Sequence, residues 1–134
     1  MGKESAFAPI PAEVEATGSS VIEAAFRVHR ALGPGLLESV YETCLCHELH
    51  KLETPFERQL DLPVKYDGIV LATGLRIDLL VNQTVVVEVK AVEEVLPVHQ
   101  AQLLTYMKLT DSRLGFLINF NVAQLKDGIT RVVL

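Results

Sequence analysis

Hydrophobic and polar positions alternate with two different periods along the chain, and the change of period divides it. Ile22, Ala25, Phe26, His29 and Leu32 recur at intervals of three and four, the spacing of one helix face. Ser20-Val21-Ile22-Glu23 has the form of a capping box, in which hydroxyl and carboxylate each satisfy an orphan amide, so a helix is predicted to start there. Gly33-Pro34-Gly35 closes it near Leu32 with a C-terminal glycine and a breaker. A second helix is predicted from about Leu36 to Leu52, with Leu37, Val40, Tyr41, Cys44, Leu45, Leu49 and Leu52 as its apolar stripe.

After Thr54-Pro55 the period falls to two. Leu60, Leu62, Val64 and Tyr66 alternate with Gln59, Asp61, Pro63 and Lys65, which predicts a half-buried strand, and Pro63 places it at a sheet edge. Asp67-Gly68 is a hairpin signal leading into a strand from Ile69 to Val81, with a break expected around Thr73-Gly74. Val85 to Val89 forms a third strand, Pro97 starts a helix to about Leu109, and Leu114 to Phe120 and Ile129 to Leu134 complete the strands. The order α-α-β-β-β-α-β-β describes an α/β sandwich around a mixed sheet. Residues 1–18 mix prolines, Gly18 and small residues without periodicity and read as a flexible N-terminal tail, leaving 19–134 as a single domain.

Composition narrows the function class. Hydrophobic residues at 49% and charged residues at 22% belong to a chain with a core, which excludes disordered and collagen-like classes. No apolar run reaches the length of a membrane span, and Met1 to Phe7 lack the apolar block of a signal peptide, so a cytoplasmic chain without a membrane partner is expected. The net charge of −5 excludes binding of polyanions by bulk charge. Nucleic acid would have to be met by a local basic patch or a metal ion. Cys44 and Cys46 are too close in sequence for an ordinary disulfide and read as reduced thiols.

Candidate chemistry concentrates in the middle hairpin. Strand alternation puts Arg76, Asp78 and Leu80 on one face and Leu75, Ile77, Leu79 and Val81 on the other, while Val86, Glu88 and Lys90 share a face of the next strand. With Asn82-Gln83-Thr84 as a three-residue loop, Asp78 stands opposite Glu88 and the two carboxylates converge; a two-residue turn would put them on opposite faces. Such a pair suits one divalent ion, because Mg²⁺ takes one or two carboxylates plus waters and phosphate oxygens. Lys90 would hold an attacking water or offset phosphate charge. The competing reading is an exposed face whose acids and lysine pair in water. Against it, Glu88 lies within Val85-Val86-Val87-Glu88-Val89, where a lone buried carboxylate is costly.

Asp78, nine intervening residues and Glu88-Val89-Lys90 resemble the D…ExK signature of the PD-(D/E)XK nuclease superfamily, with Ile77 where the superfamily name has Pro. Gly35-Leu36-Leu37-Glu38-Ser39-Val40-Tyr41 resembles the defining motif of its GxxExxY family. Val28-His29, Leu32 to Gly35, Arg76 to Val81, Leu96 to His99 and Ile118 to Phe120 are similar to that family too, so the resemblance runs from about residue 20 to the C-terminus. It implies a restriction-endonuclease-like core and a catalytic set of Glu38, Asp78, Glu88 and Lys90, with Asp78 and Glu88 as metal ligands. It also implies Mg²⁺ as cofactor, with Mn²⁺ able to substitute, and a nucleic-acid substrate, DNA in the first instance. Gln102 and Tyr106 form a Q-x-x-x-Y pattern similar to one in other superfamily branches, and with Arg76 they are expected to bind substrate.

Bland readings stand beside these roles: Glu38 as a first-turn acid favouring its helix, and Tyr106 and His99 as ordinary helix packing. Cys44, Cys46, His47 and His50 invite a zinc site, but zinc usually draws ligands from two elements, so a core Cys44 with an exposed Cys46 and histidine pair is preferred. His29 reads as a hydrogen-bonded packing residue. The expected function is thus a metal-dependent nuclease. The alternatives are a catalytically inactive nucleic-acid-binding or assembly module that keeps the fold, and a greasy homo-oligomer, for which a mean hydropathy of +0.30 speaks.

Overall fold

The computed structural model describes residues 8–134. Its elements are α1 (Ala12–Leu32), α2 (Glu38–Lys51), β1 (Phe56–Tyr66), β2 (Ile69–Val81), β3 (Val85–Lys90), α3 (Pro97–Leu109), β4 (Leu114–Asn119), a 3₁₀ turn (Leu125–Gly128) and β5 (Ile129–Val133). The strands form one sheet in the order β1-β2-β3-β4-β5, antiparallel except for the parallel pair β3 and β4 that α3 connects. No helix among the described residues is long and apolar enough to cross a membrane.

The first helix corrects the expectation of a tail up to residue 18. It starts eight residues before Ser20, with Pro11 as N-cap, so residues 12–18 belong to the folded domain; residues 1–7 of the expected tail lie outside the described residues. Gly18 had read as loop punctuation because it lacks a side chain. A Cβ there would come within 2.9 Å of Leu114 Cδ2, so the glycine is what lets α1 lie directly on β4. Thr17, Val21, Ala24, Ala25 and Val28 continue this buried stripe.

Helices cover both faces of the sheet. Leu79 and Val81 of β2, Val85, Val87 and Val89 of β3, and Leu114, Phe116 and Ile118 of β4 form one core with α1 and α2. Ile77, Leu80, Val86 and Leu117 form a second core with Leu103, Tyr106 and Met107 of α3. β3 and β4 are covered on both sides, which explains their nearly unbroken apolar runs. β1 is an edge strand, as Pro63 required. The break expected near Thr73-Gly74 is a register shift rather than an end: Leu62 pairs with Leu75, but Val64 pairs with Leu71.

Tyr41 governs the connection between α1 and α2. Its ring is fully buried and stacks on Phe120 with centroids 4.7 Å apart, and its hydroxyl donates to the Gly33 carbonyl at 2.6 Å while accepting from the Leu36 amide at 3.1 Å. Gly33 and Gly35 have φ of 66° and 101°, the left-handed region that glycine enters freely. One phenol thus pins the turn from which α2, and Glu38 at its first position, departs. Tyr41→Phe keeps the packing and strands both turn groups, so it is expected to cost about 1–2 kcal/mol in urea unfolding; an unchanged midpoint would show that the hydroxyl does not hold the turn.

Candidate active site

The site lies where β2 parts from β3. Val81 pairs with Val85 and Leu79 with Val87 around the three-residue loop Asn82 to Thr84, the register that sets Asp78 against Glu88. Regular pairing ends at Leu79. One position further, the Asp78 amide donates to Glu88 Oε2 at 2.9 Å, and the Val89 amide donates to Asp78 Oδ2 at 2.8 Å. Each carboxylate thus accepts an amide from the other strand where a backbone carbonyl would otherwise stand.

Below this point the simple alternation fails. Ile77 packs with Leu80 and Val86, not with Leu79 and Val81 as strict alternation requires. The departure coincides with Gln59 on β1, between the pairs Arg58 to Leu79 and Leu60 to Ile77, whose φ of 54° is left-handed. A strand that leaves one neighbour and follows a distorted partner changes the face it presents.

Burial and proximity make both acids reluctant to ionise. Burial, reinforced by the charge of Asp78, pushes Glu88 up to about 8. Burial also raises Asp78, to about 6, with the charges of Glu42 and Glu38 adding to it and the Val89 amide opposing it. Both shifts run the same way, so the pair holds protons to higher pH than free carboxylates do. Lys90 lies close enough for its charge to favour ionisation of both. The Tyr106 phenol of α3, buried, is raised first by burial and then by Glu88 and Asp78.

The structure therefore brings together Asp78, Glu88, Lys90 and Tyr106, with Glu38 near Asp78 from the exposed first turn of α2. It does not bring in the rest. Gln102 is exposed one turn before Tyr106. Arg76 pairs with Asp61 at 2.9 Å with both side chains largely in solvent. His99 accepts the Leu96 amide on Nδ1 at 3.0 Å and so caps α3. His29 Nε2 meets the Val122 carbonyl at 2.8 Å, a packing role.

Two further findings depart from the sequence reading. Cys46, not Cys44, is the more buried thiol, pushed up to about 11 by burial: α2 keeps Tyr41, Leu45 and Leu49 in the core as expected, but its buried flank is Glu42 and Cys46 rather than Val40 and Cys44, and no metal cluster of three or more His, Cys, Asp or Glu forms among the described residues. More consequential is a group that periodicity did not reveal. Glu42 is buried, receives Arg58 Nε at 2.6 Å, and takes the Gln59 amide on both oxygens at 2.9 Å; Gln59 Nε2 then reaches Asp78 Oδ1 at 3.4 Å. The available signal was Glu42 lying one helical turn after Glu38, on the same side of α2.

The donor set fits a divalent cation. Half-buried Asp78 and buried Glu88 offer hard oxygens whose reluctance to ionise a cation would relieve, and Mg²⁺ needs no more than one or two protein carboxylates beside water. Residues 15–132 match the family model of the PD-(D/E)XK nuclease superfamily. No curated protein and no solved structure matches the chain.

Stability should register the pair. Because both acids bind protons more tightly folded than unfolded, their contribution is present at low pH and is lost as pH rises through about 6 and about 8. In EDTA the melting temperature is expected to fall by a few degrees between about pH 5 and 8, and Glu88→Gln should remove most of the upper part of that fall. A variant with the wild-type pH slope would place the proton elsewhere.

Proposed function

Because the chain belongs to the PD-(D/E)XK nuclease superfamily, its five-stranded mixed sheet flanked by helices being the restriction-endonuclease-like core, we propose that it is a divalent-metal-dependent nuclease that hydrolyses phosphodiester bonds of DNA. The single observation that carries this reading is the pair of half-buried Asp78 and buried Glu88 at the parting of two strands, within reach of the Lys90 charge. Gly35 to Tyr41 favours the GxxExxY branch, and the free cysteines accord with the cytoplasm.

Asp78 and Glu88 would hold Mg²⁺, or Mn²⁺ in its place. Held there, such an ion would supply Lewis-acid polarisation of the scissile phosphate and offset its charge. The chain's own groups do the rest. A cation held by Asp78 and Glu88 would favour the ionised form of both, so its binding would release protons from the pair. Lys90 orients the attacking water and offsets the negative charge that grows on the phosphate. Glu38 adds a carboxylate on the α2 side, where it can accept a hydrogen bond from that water. Tyr106 lines the α3 side, and exposed Gln102 and Arg76 are available to the strand beyond it. With a net charge of −5, affinity for a polyanion rests on such local groups rather than on the overall field.

Calorimetry with Mn²⁺ should show binding by the wild type and its loss in Asp78→Ala; undiminished binding in that variant would put the ion elsewhere. Lys90→Ala should bind the metal as tightly or slightly more tightly, since a nearby positive charge is gone, yet cleave plasmid or single-stranded DNA about 10²-fold more slowly. Lys90→Arg should not restore the rate, because a planar fork does not fill the place of a compact point charge. Equal rates for wild type and Lys90→Ala, in a preparation whose activity EDTA abolishes, would remove Lys90 from the mechanism. DNA binding without metal-dependent cleavage would favour the inactive module instead.

A further inference from the structure

We propose that Gln59 is a positioning residue for the Asp78 carboxylate, tying it through Glu42 and Arg58 to helix α2. The inference rests on the nuclease reading above, in which Asp78 holds the cation.

Consecutive side chains of a strand normally point to opposite faces. Arg58 and Gln59 are consecutive in β1, yet both reach Glu42, with Arg58 Nε at 2.6 Å and Gln59 Nε2 at 2.9 Å. The left-handed backbone at Gln59, φ 54°, accompanies this convergence. Residues with a Cβ enter that region less readily than glycine, and inside a strand it breaks the alternation of side chains. At Gln59 the side chain turns to the acid on α2 and the acid on β2.

Glu42 also fixes which way the amide points. An ionised carboxylate only accepts hydrogen bonds, so it draws the NH₂ end of Gln59, and the second N–H of that group is left to face Asp78 Oδ1 at 3.4 Å. Asp78 Oδ2 is already held by the Val89 amide. Both oxygens are thereby oriented, with lone pairs to spare for a cation. The charge on buried Glu42 is balanced by Arg58, whose Nη2 is steadied by Thr43 Oγ1 at 2.9 Å, so Glu42 acts as an anchor and not as a third ligand. Outer partners of this kind set metal affinity by about 10- to 100-fold.

Glycine separates backbone from amide, because it keeps the left-handed conformation without strain and removes only the side chain. A matched control exists at Gln83, exposed, with φ 61° and a hydrogen bond to Glu57 at 3.2 Å, in the loop between β2 and β3. Mn²⁺ titration, DNA cleavage kinetics and thermal melts are to be run on full-length wild type, Gln59→Gly, Gln83→Gly and Asp78→Ala. Gln59→Gly is expected to melt no lower than wild type while its Kd for Mn²⁺ rises about 10-fold or more and kcat falls, with Gln83→Gly unchanged in Kd. Wild-type Mn²⁺ affinity in Gln59→Gly, alongside its loss in Asp78→Ala, would overturn the positioning role and leave the nuclease reading standing. Equal losses in both glycine variants would overturn it as well. A wild type that binds no Mn²⁺ would overturn both readings together.

Discussion

A sheet cannot leave amides unpaired in its interior, and this chain meets that demand at the parting of β2 and β3 with carboxylates instead of carbonyls. The Asp78 and Val89 amides each find an acid of the opposite strand. A buried amide without a partner costs about 1–3 kcal/mol, so the two acids are structural partners of the backbone before they are anything else. The same contacts press two carboxylates together in a poorly hydrated place, which is why a proton or a cation is needed to stabilise them. Fold and chemistry here share one pair of atoms.

What surrounds the pair follows from how the helices reach it. Tyr41, locked between the Gly33 turn and the Phe120 ring, fixes where α2 begins, and α2 carries both Glu38 and Glu42. Glu42 is then committed to Arg58 and Gln59. On the opposite face α3 supplies Tyr106, whose phenol borders the acids from within the second core. The site is thus enclosed by two separate cores, each of which holds one of its walls.

The elements and their order were legible because their signals are local: glycine turns and a period that shifts from 3.6 to two, whereas the capping box read at Ser20 lies inside α1 and marks no helix start. The opposition of Asp78 and Glu88 was legible for the same reason, since one short loop decides it. Other features depend on contacts distant in sequence. Gly18 reads as a breaker until Leu114 is seen lying against it. Ile77 obeys the face of Leu79 in any alternation count, and the parting from β3 together with the distortion of β1 at Gln59 moves it to the other core. Glu42 is one acid among several on an amphipathic helix; its importance comes from Arg58 and Gln59, which sit on a strand whose distortion no periodicity records.

The three-residue loop Asn82 to Thr84 has a kinetic consequence. Asp78 and Glu88 are ten positions apart, so closing their hairpin removes little chain entropy and does not wait for the rest of the sheet. The link from Gln59 to Glu42 joins segments seventeen positions apart, and Tyr106 enters only with the parallel crossover to β4. The acidic centre is therefore the most local contact of the site, and its walls rest on longer-range ones. While the hairpin stands alone, water screens the two charges; it is the docking of the helices that withdraws the water. The electrostatic cost of this site thus comes from the docking of the helices and not from the hairpin itself.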